Sequence, residues 1–298
     1  MVGPGGEEME PWLTYHRVFF DCDSTLTAIE GIDELARMQG KEAEVAALTR
    51  QAMEGKIALE AVYARRLQLL RPTRGQLREV AALYRRHLVP DAEATIAALR
   101  FLGIQLCIVS GGLIEAVAIL ARYLGIPSAC VRAVEIEYDQ LAGRWWAPYL
   151  HPGGVNPDER YLDHREGPLT RTEGKSEVIR QMAYPWERTM LVGDGVSDLA
   201  VRSTVDLFVG FGGVVRRERV AAEAPIYITA PSLAPVLPLA AGPRGYLRCR
   251  STPHQAVFER GLAIIQDGGV VFNEARYRRR FERAYAAVPE ERMLRERQ

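Results

Sequence analysis

The sequence predicts an α/β protein with a doubly wound parallel sheet. Short apolar runs of strand length alternate with stretches of helical spacing along most of the chain. Such alternation favours parallel strands joined by helices on both faces of the sheet. The chain has 298 residues, of which 48% are hydrophobic. This length suffices for one sizeable α/β domain with a smaller unit beside it.

Five apolar runs are the candidate strands of a Rossmann-like core. A predicted helix at 91–102 precedes the second run, and another helix is expected directly after Gly112. We therefore assign residues 13–27 and 90–230 to this core. The candidate strands are residues 15–20, 104–109, 189–192, 205–209 and 226–228.

The segment 28–89 changes to helical spacing and predicts a separate helical cap. Gly40 and Gly55 interrupt the helical pattern, as residues that end helices do. Thr73 and Gln76 have the spacing of a capping box, in which each side chain bonds the other residue's backbone N–H. We expect several short helices here.

Two further segments carry weaker signals. Residues 144–172 contain Trp145, Trp146 and several prolines and glycines, which favours a hairpin extension or a long loop. Residues 231–298 begin with a proline-rich connector and predict a C-terminal helical extension of unknown role. Its arginine-dense stretch, 276–283, is interpreted as a solvated helical face, with partner binding as the less favoured alternative.

The overall composition restricts the class of partner. Lysine plus arginine and aspartate plus glutamate number 38 each, so no global field attracts nucleic acid or an anionic membrane. No secretory signal and no apolar run of membrane-spanning length is recognisable, which predicts a cytoplasmic protein without nucleic-acid or membrane partners. The four cysteines lack C-x-x-C spacing and are interpreted as inert buried thiols. The oligomeric state stays open.

Four carboxylates follow two of the candidate strands. Asp21 and Asp23 leave the first strand, and Asp194 and Asp198 follow the strand at 189–192. Burying several carboxylates together is costly unless a cation compensates them, and oxygen ligands suit Mg²⁺. Asp198 alone could instead cap the next helix. Convergence of all four is better explained by a metal site.

Two other segments suggest an anion site. Ser110-Gly111-Gly112 follows a strand and precedes a helix, so a hydroxyl and free backbone N–H groups could face a phosphate. Lys175, one of only three lysines, could neutralise that charge. Taken singly, the first is more often a tight turn and the second a surface charge.

Together and in this order, these segments resemble the four motifs of the haloacid dehalogenase-like phosphatase superfamily, and within it the members that hydrolyse phosphoserine. The 86 residues between Asp23 and Ser110 are similar to the helical cap that these members insert after the first motif. The resemblance extends over residues 18–229 and includes 21–36, 53–56, 109–112 and 191–199.

The resemblance implies a role for each matching residue. Asp21 would be the nucleophile that forms an aspartyl-phosphate, and Asp23 the general acid and then base. Mg²⁺ would be held by Asp21, the backbone carbonyl of Asp23 and Asp194, with Asp198 supporting. The transferring phosphoryl group would be bound by Ser110, Gly111 and Lys175.

By position in this family, the cap selects the substrate. Glu30 would meet the amino group of phosphoserine and Arg66 its carboxylate. Glu30 could equally begin a helix, and Arg66 could be a solvated surface residue. Ser197 would also bind the substrate, at the active-site rim where the family usually has asparagine. The expected reaction is hydrolysis of O-phospho-L-serine to L-serine and phosphate.

Several other functions were weighed against this one. The same chemistry on another small phosphomonoester, such as phosphoethanolamine, phosphocholine or a sugar phosphate, stays open, as does a degenerate member that only binds ligand. A P-loop around Lys175 would need glycine at Leu169. A dinucleotide site would need glycine at Asp198, and a cysteine phosphatase would need arginine at Ala28.

Overall fold

The computed structural model describes residues 12, 14–53, 59–141, 146, 156–171 and 173–286. The strands are β1 Arg17–Phe20, β2 Gln105–Leu113, β3 Val131–Val134, β4 Ile136–Asp139, β5 Arg160–His164, β6 Thr189–Gly193, β7 Leu207–Phe211, β8 Ile226–Ile228 and β9 Val270–Phe272. The helices are α1 Gly31–Gln39, α2 Glu42–Met53, α3 Leu59–Leu70, α4 Arg74–Arg86, α5 Ala92–Phe101, α6 Ile114–Tyr123, α7 Gly174–Met182, α8 Val196–Leu199, α9 Glu218–Glu223, α10 Val236–Cys249, α11 Gln255–Gln266 and α12 Ala275–Ala286.

Seven strands form the main sheet, in the order β3-β2-β1-β6-β7-β8-β9. All neighbours are parallel except β8 and β9, which are antiparallel. The central strands β1, β6 and β7 are buried throughout, as their continuous apolar runs require. Phe20 at the end of β1 lies level with Ile108 and Val192, so the carboxyl ends of β1, β2 and β6 lie at the same edge of the sheet. The predicted fold class is confirmed.

The segment after β1 forms the four helices α1–α4, as predicted. Gly40 ends α1 with a φ of 64°, a left-handed conformation that glycine adopts without steric cost. Thr73 and Gln76 form the predicted capping box at the start of α4. The predicted interruption at Gly55 lies outside the described residues. The division of the chain into domains stays a prediction.

The two connections between the sheet and the cap helices lie side by side. Ala28 N donates to His87 O at 2.8 Å, and Val89 N donates to Leu26 O at 3.0 Å. These two hydrogen bonds bring the entry and exit of the cap together. The cap therefore stands directly over the carboxyl end of β1.

A hairpin is present as the antiparallel pair β4 and β5, but its first strand precedes the predicted range 144–172 and only β5 lies within it. Its second strand contacts the turn between α3 and α4: Tyr161 N donates to Pro72 O at 2.8 Å, and Gly75 N donates to Pro157 O at 2.8 Å. Most of residues 142–155 lie outside the described residues. The described part contacts the start of α4, whereas the connections to the sheet lie at the other end of that helix.

The C-terminal segment differs from the sequence prediction. It is not helical throughout, because Val270–Phe272 forms the edge strand β9. Helix α10 packs against the segment that leads into β1, where Tyr15 N donates to Ala240 O at 2.9 Å and Trp12 Nε1 to Leu239 O at 3.0 Å. This segment completes the sheet and the hydrophobic core. The part of the predicted extension at 287–298 lies outside the described residues.

All four cysteines are buried free thiols, as predicted. Among the helices of the described ranges, none has the length and apolar character needed to span a membrane.

Candidate active site

The predicted site residues lie at the carboxyl edge of the sheet, beneath the cap helices. A cavity of about 530 Å³ opens there between the strand ends and α1, α3 and α4. Ligand sites of open parallel sheets lie at this edge, where loops leave neighbouring strands. The lining includes every side chain to which the sequence assigned a role except Asp198, namely Asp21, Asp23, Glu30, Arg66, Ser110, Lys175, Asp194 and Ser197, together with Gly111.

Asp21 is fixed by the sheet and by Lys175. Its backbone N–H donates to Val192 O at 3.0 Å, which continues the pairing of β1 with β6 past the last strand residue. Lys175 Nζ lies 3.0 Å from Asp21 Oδ2 and 2.6 Å from Asp198 Oδ1. Burial opposes the charge on Lys175, but the two carboxylates outweigh it and raise the pKa of this ammonium group. Lys175 thus stays charged beside Asp21.

The position of Lys175 depends on a close approach of two backbone segments. Gly174 begins α7, and a Cβ at this position would lie 1.6 Å from Pro168 O. Only glycine fits such a contact. The short motif Gly174-Lys175 therefore places a buried ammonium group under the strand ends.

Three acidic side chains form a group suited to a cation. One carboxylate oxygen from each of Asp21, Asp194 and Asp198 lies within 4.8 Å of the others. Burial, and then repulsion from Asp21, raises the pKa of both Asp194 and Asp198. A hard divalent cation relieves this repulsion and takes oxygen ligands, so the donor set fits Mg²⁺. Both of the later acids already have partners: Asp198 Oδ2 accepts from Gly195 N at 3.0 Å, and Asp194 Oδ1 accepts from Thr25 Oγ1 at 3.2 Å.

Asp23 faces the cap. Its Oδ1 accepts from Tyr84 OH at 2.6 Å and from Gly31 N at 2.9 Å. Burial, and then repulsion from Glu30 and Asp21, raises the pKa of Asp23 to about 8, although both hydrogen bonds oppose the shift. A carboxyl group that holds its proton near neutral pH is suited to act as a general acid.

The Ser110-Gly111-Gly112 segment differs from the sequence prediction in one respect. It belongs to the end of β2, whose pairing with β3 shifts between Val109 and Leu113, and α6 begins only at Ile114. Ser110 is buried, and its Oγ accepts from Gly112 N at 3.0 Å. The segment is therefore an irregular strand end instead of a turn at a helix start. It lines the same cavity as Asp21 and Lys175.

The two predicted substrate readers of the cap both line the cavity. Glu30 accepts from Ser24 Oγ at 2.7 Å and precedes the first residue of α1. Arg66 lies on α3, and burial lowers the pKa of its guanidinium. Its Nε is buried and has no hydrogen-bond partner among the residues that the structure describes. Such a donor is costly unless a ligand satisfies it.

Three functional candidates were missed by sequence reasoning. Arg217 follows β7 and donates from Nε to Asp194 Oδ2 at 2.9 Å, while its Nη2 lies 3.5 Å from Glu30 Oε1. Tyr63 OH on α3 donates to Gly111 O at 3.0 Å, and Tyr84 OH bonds Asp23 as described. Each comes from a segment distant in sequence from its partner. Neither spacing nor composition signals such contacts.

Comparison with known proteins assigns the chain to a family. A family model described as haloacid dehalogenase-like hydrolase matches residues 15–201. The chain is 34% identical over 214 residues to phosphoserine phosphatase of Bos taurus, a match that covers 71% of this chain and 88% of that protein. It is 33% identical over 215 residues to phosphoserine phosphatase of Drosophila melanogaster, covering 71% and 74%.

Solved structures agree with this assignment. A structure described as a phospho-aspartyl intermediate analogue of phosphoserine phosphatase is 27% identical, with a TM-score of 0.59, and the match covers 75% of this chain and 98% of that one. A substrate-bound phosphoserine phosphatase has the same identity and TM-score, covering 75% and 97%. The chain belongs to the haloacid dehalogenase-like hydrolases. The predicted enzyme class, a phosphomonoester hydrolase, is confirmed as well.

Proposed function

We propose that the protein hydrolyses O-phospho-L-serine to L-serine and phosphate through an aspartyl-phosphate on Asp21. The observation that carries the proposal is the position of Lys175, whose Nζ lies 3.0 Å from Asp21 Oδ2 in a cavity lined by Ser110 and Gly111. A phosphoryl group bound at this point would meet a nucleophile and a neutralising cation together. Phosphoryl transfer depends mainly on such positioning and charge stabilisation.

Asp21 and Asp23 have different roles in the proposed reaction. Asp21 attacks phosphorus, the bond to the serine oxygen breaks, and Asp23 gives its proton to that leaving oxygen. Asp23 then accepts a proton from water as the water attacks phosphorus. The bond between phosphorus and Asp21 breaks, inorganic phosphate leaves, and both carboxyl groups return to their first state. Lys175 and Ser110 hold the phosphoryl oxygens throughout.

The cofactor of this proposal is Mg²⁺. Asp21, Asp194 and the backbone carbonyl of Asp23 would hold it, with Asp198 supporting, in keeping with the three carboxylates that lie within 4.8 Å of one another. When bound, the ion supplies charge neutralisation to the phosphoryl group and to the surrounding acids. Lys175 and Arg217, which pairs with Asp194, balance only part of this negative charge.

Phosphoserine is favoured over other phosphomonoesters by two charges in the cap. Arg66 offers a buried Nε without a hydrogen-bond partner among the described residues, which suits a carboxylate. Glu30 offers a carboxylate to an ammonium group, although Arg217 lies 3.5 Å from it and would have to share it. The relatives named as phosphoserine phosphatases support the same substrate. Ser197 at the rim is proposed to contact the substrate too.

The test compares Arg66→Ala with the wild type on L-phosphoserine and on phosphoethanolamine, which lacks the carboxylate. Arg65→Ala is the matched control, because Arg65 is the exposed neighbour on the same helix. We expect Arg66→Ala to lower kcat/KM for phosphoserine by roughly 100-fold, since charged hydrogen bonds contribute about 1.5–3 kcal/mol. The loss on phosphoethanolamine should stay below about threefold.

The class of substrate is tested by comparing the kcat/KM values of the wild type on the different phosphomonoesters in the presence of Mg²⁺. A preference for phosphoethanolamine, phosphocholine or a sugar phosphate would keep the chemistry and replace the substrate. An equal loss of kcat/KM on both substrates in Arg66→Ala would remove Arg66 as the carboxylate reader. A wild type inactive on every ester would favour a protein that only binds its ligand.

A further inference from the structure

The cap helix α4 places a phenol against the proposed proton donor. Tyr84 is among the largest fully buried side chains of the protein, with 1% of its surface exposed. Its hydroxyl donates to Asp23 Oδ1 at 2.6 Å. A buried phenol can satisfy its O–H with any nearby acceptor, such as a backbone carbonyl. Here the acceptor is the carboxyl group proposed to move the proton.

The two hydrogen bonds to Asp23 converge on one oxygen. Tyr84 OH and Gly31 N both donate to Oδ1. Oδ2 of Asp23 lies beside the Ser110-Gly111-Gly112 segment. A Cβ built at Gly112 would lie 3.0 Å from Asp23 Oδ2 and 3.2 Å from Ser110 Oγ. A carboxyl group is planar, so fixing Oδ1 also fixes Oδ2. Among the described residues, Oδ2 has no hydrogen-bond donor, so it is the oxygen available to the substrate.

The approach of Tyr84 needs room at the start of α1. A Cβ at Gly31 would lie 2.2 Å from the Tyr84 hydroxyl and 3.1 Å from its Cζ. Any larger residue at position 31 would displace the phenol from Asp23. Gly31 therefore helps to position Asp23 in two ways. Its N–H donates to Asp23 Oδ1, and its lack of a side chain leaves space for the Tyr84 hydroxyl.

We propose that Tyr84 is a positioning residue for proton transfer, which holds Asp23 so that Oδ2 faces the leaving oxygen of the substrate. This inference rests on the proposed function. Because Tyr84 belongs to the cap, the cap that encloses the substrate also aligns the proton donor. Loss of the hydroxyl leaves Gly31 N as the sole described donor to Oδ1, and the carboxyl group can turn away from the leaving oxygen.

The test exploits the leaving group. A serine alkoxide needs a proton as the bond to phosphorus breaks, whereas 4-nitrophenolate is a weak base and needs little help. kcat/KM reports only the steps up to formation of the phosphorylated Asp21. We expect Tyr84→Phe to lower kcat/KM for phosphoserine by about tenfold or more, and for 4-nitrophenyl phosphate by less than about threefold.

Tyr285→Phe is the matched control, since it removes a phenol hydroxyl that donates to Pro238 O at 2.9 Å, outside the cavity. It should leave both values unchanged. A second variant, Gly31→Ala, retains the phenol but crowds it and should reproduce the split between substrates. If circular dichroism shows that Tyr84→Phe is poorly folded, Gly31→Ala tests the role of the Tyr84 hydroxyl in its place.

Equal losses of kcat/KM on both substrates, or no loss on either, would overturn the role of Tyr84. In that case the phenol is a buried core residue whose hydroxyl happens to be satisfied by Asp23. A wild type inactive on both esters would instead overturn the proposed function itself. The two failures are therefore distinguishable.

Discussion

Asp21 lies among charges of both signs, and their balance predicts how a neutral substitute behaves. Its carboxylate pairs with Lys175 at 3.0 Å and repels Asp194 and Asp198, whose ligand oxygens lie within 4.8 Å. In the variant Asp21→Asn the attraction and the repulsion are lost together, while Lys175 retains Asp198 at 2.6 Å. The net effect on folding should therefore be small.

We expect Asp21→Asn to lower phosphate release by at least about 1,000-fold, because the amide cannot form an acyl phosphate. The melting temperature should change by no more than a few degrees. Phosphate release and thermal unfolding monitored by circular dichroism measure the two effects. Residual turnover near that of the wild type would exclude Asp21 as the nucleophile.

The sequence predicts those site residues whose position follows from a neighbouring strand. Asp21 directly follows β1, Ser110 lies near the end of β2, and Asp194 directly follows β6. Parallel pairing of these strands alone brings the three residues to one edge of the sheet. Arg217 and Tyr84 reach the same cavity from a loop and a cap helix. Their contacts depend on how those segments pack, which no local pattern encodes.

At the scale of single elements, α4 offers a clean test of local prediction. Thr73 Oγ1 accepts from Gln76 N at 3.2 Å, and Gln76 Oε1 accepts from Thr73 N at 3.0 Å. These bonds satisfy two N–H groups that have no partner inside the helix. We expect Thr73→Ala to lower the free energy of unfolding by about 1 kcal/mol, measured by urea denaturation.

Thr49→Ala serves as its control. Thr49 lies inside α2 and its hydroxyl donates to Val45 O, four residues before it, so no cap is lost. Alanine has the higher helix propensity, and the variant should be neutral or slightly more stable. A Thr73→Ala variant as stable as the control would show that the capping box contributes nothing to stability.

Elements with local signals were predicted, and β9 shows why others were not. The capping box and Gly40 depend on residues close in sequence. The strand β9 has three residues, of which only Val270 is buried, and it is preceded by Gly268 and Gly269. Its extended conformation is stabilised by pairing with β8, about forty residues earlier, and no periodicity can develop over three residues.

At the scale of the whole molecule, charges are treated differently at the two edges of the sheet. The carboxyl edge gathers three acids that could hold a metal ion, whereas the amino edge buries a complete ion pair. Arg17 Nε and Nη2 donate to the two oxygens of Glu187 at 2.8 and 2.9 Å. The two side chains are 4% and 5% exposed. This bidentate pair joins β1 to the loop before β6.

The pair predicts a specific dependence of stability on pH. Burial opposes ionisation of Glu187, but hydrogen bonds from Arg17 and from Tyr184 N outweigh it and lower the pKa of this carboxyl below its ordinary value. A carboxyl group whose pKa is lower in the folded than in the unfolded state stabilises the fold. For a glutamate this stabilisation is complete at pH values above the unfolded-state pKa of about 4.3. That stabilisation is lost as the pH falls through the folded pKa.

We expect Glu187→Gln to lower the free energy of unfolding by about 3 kcal/mol at pH 7, because Arg17 stays buried without a charged partner. The difference from the wild type should shrink as the pH falls below about 4, where Glu187 takes up a proton. Urea denaturation between pH 3 and pH 7 measures this difference in the free energy of unfolding.

The control is Glu218→Gln, which removes an exposed bidentate partner of Arg216 and should leave stability unchanged. Parallel pH curves for Glu187→Gln and the wild type would contradict the assignment, because the missing stability would then come from lost packing and not from the charge.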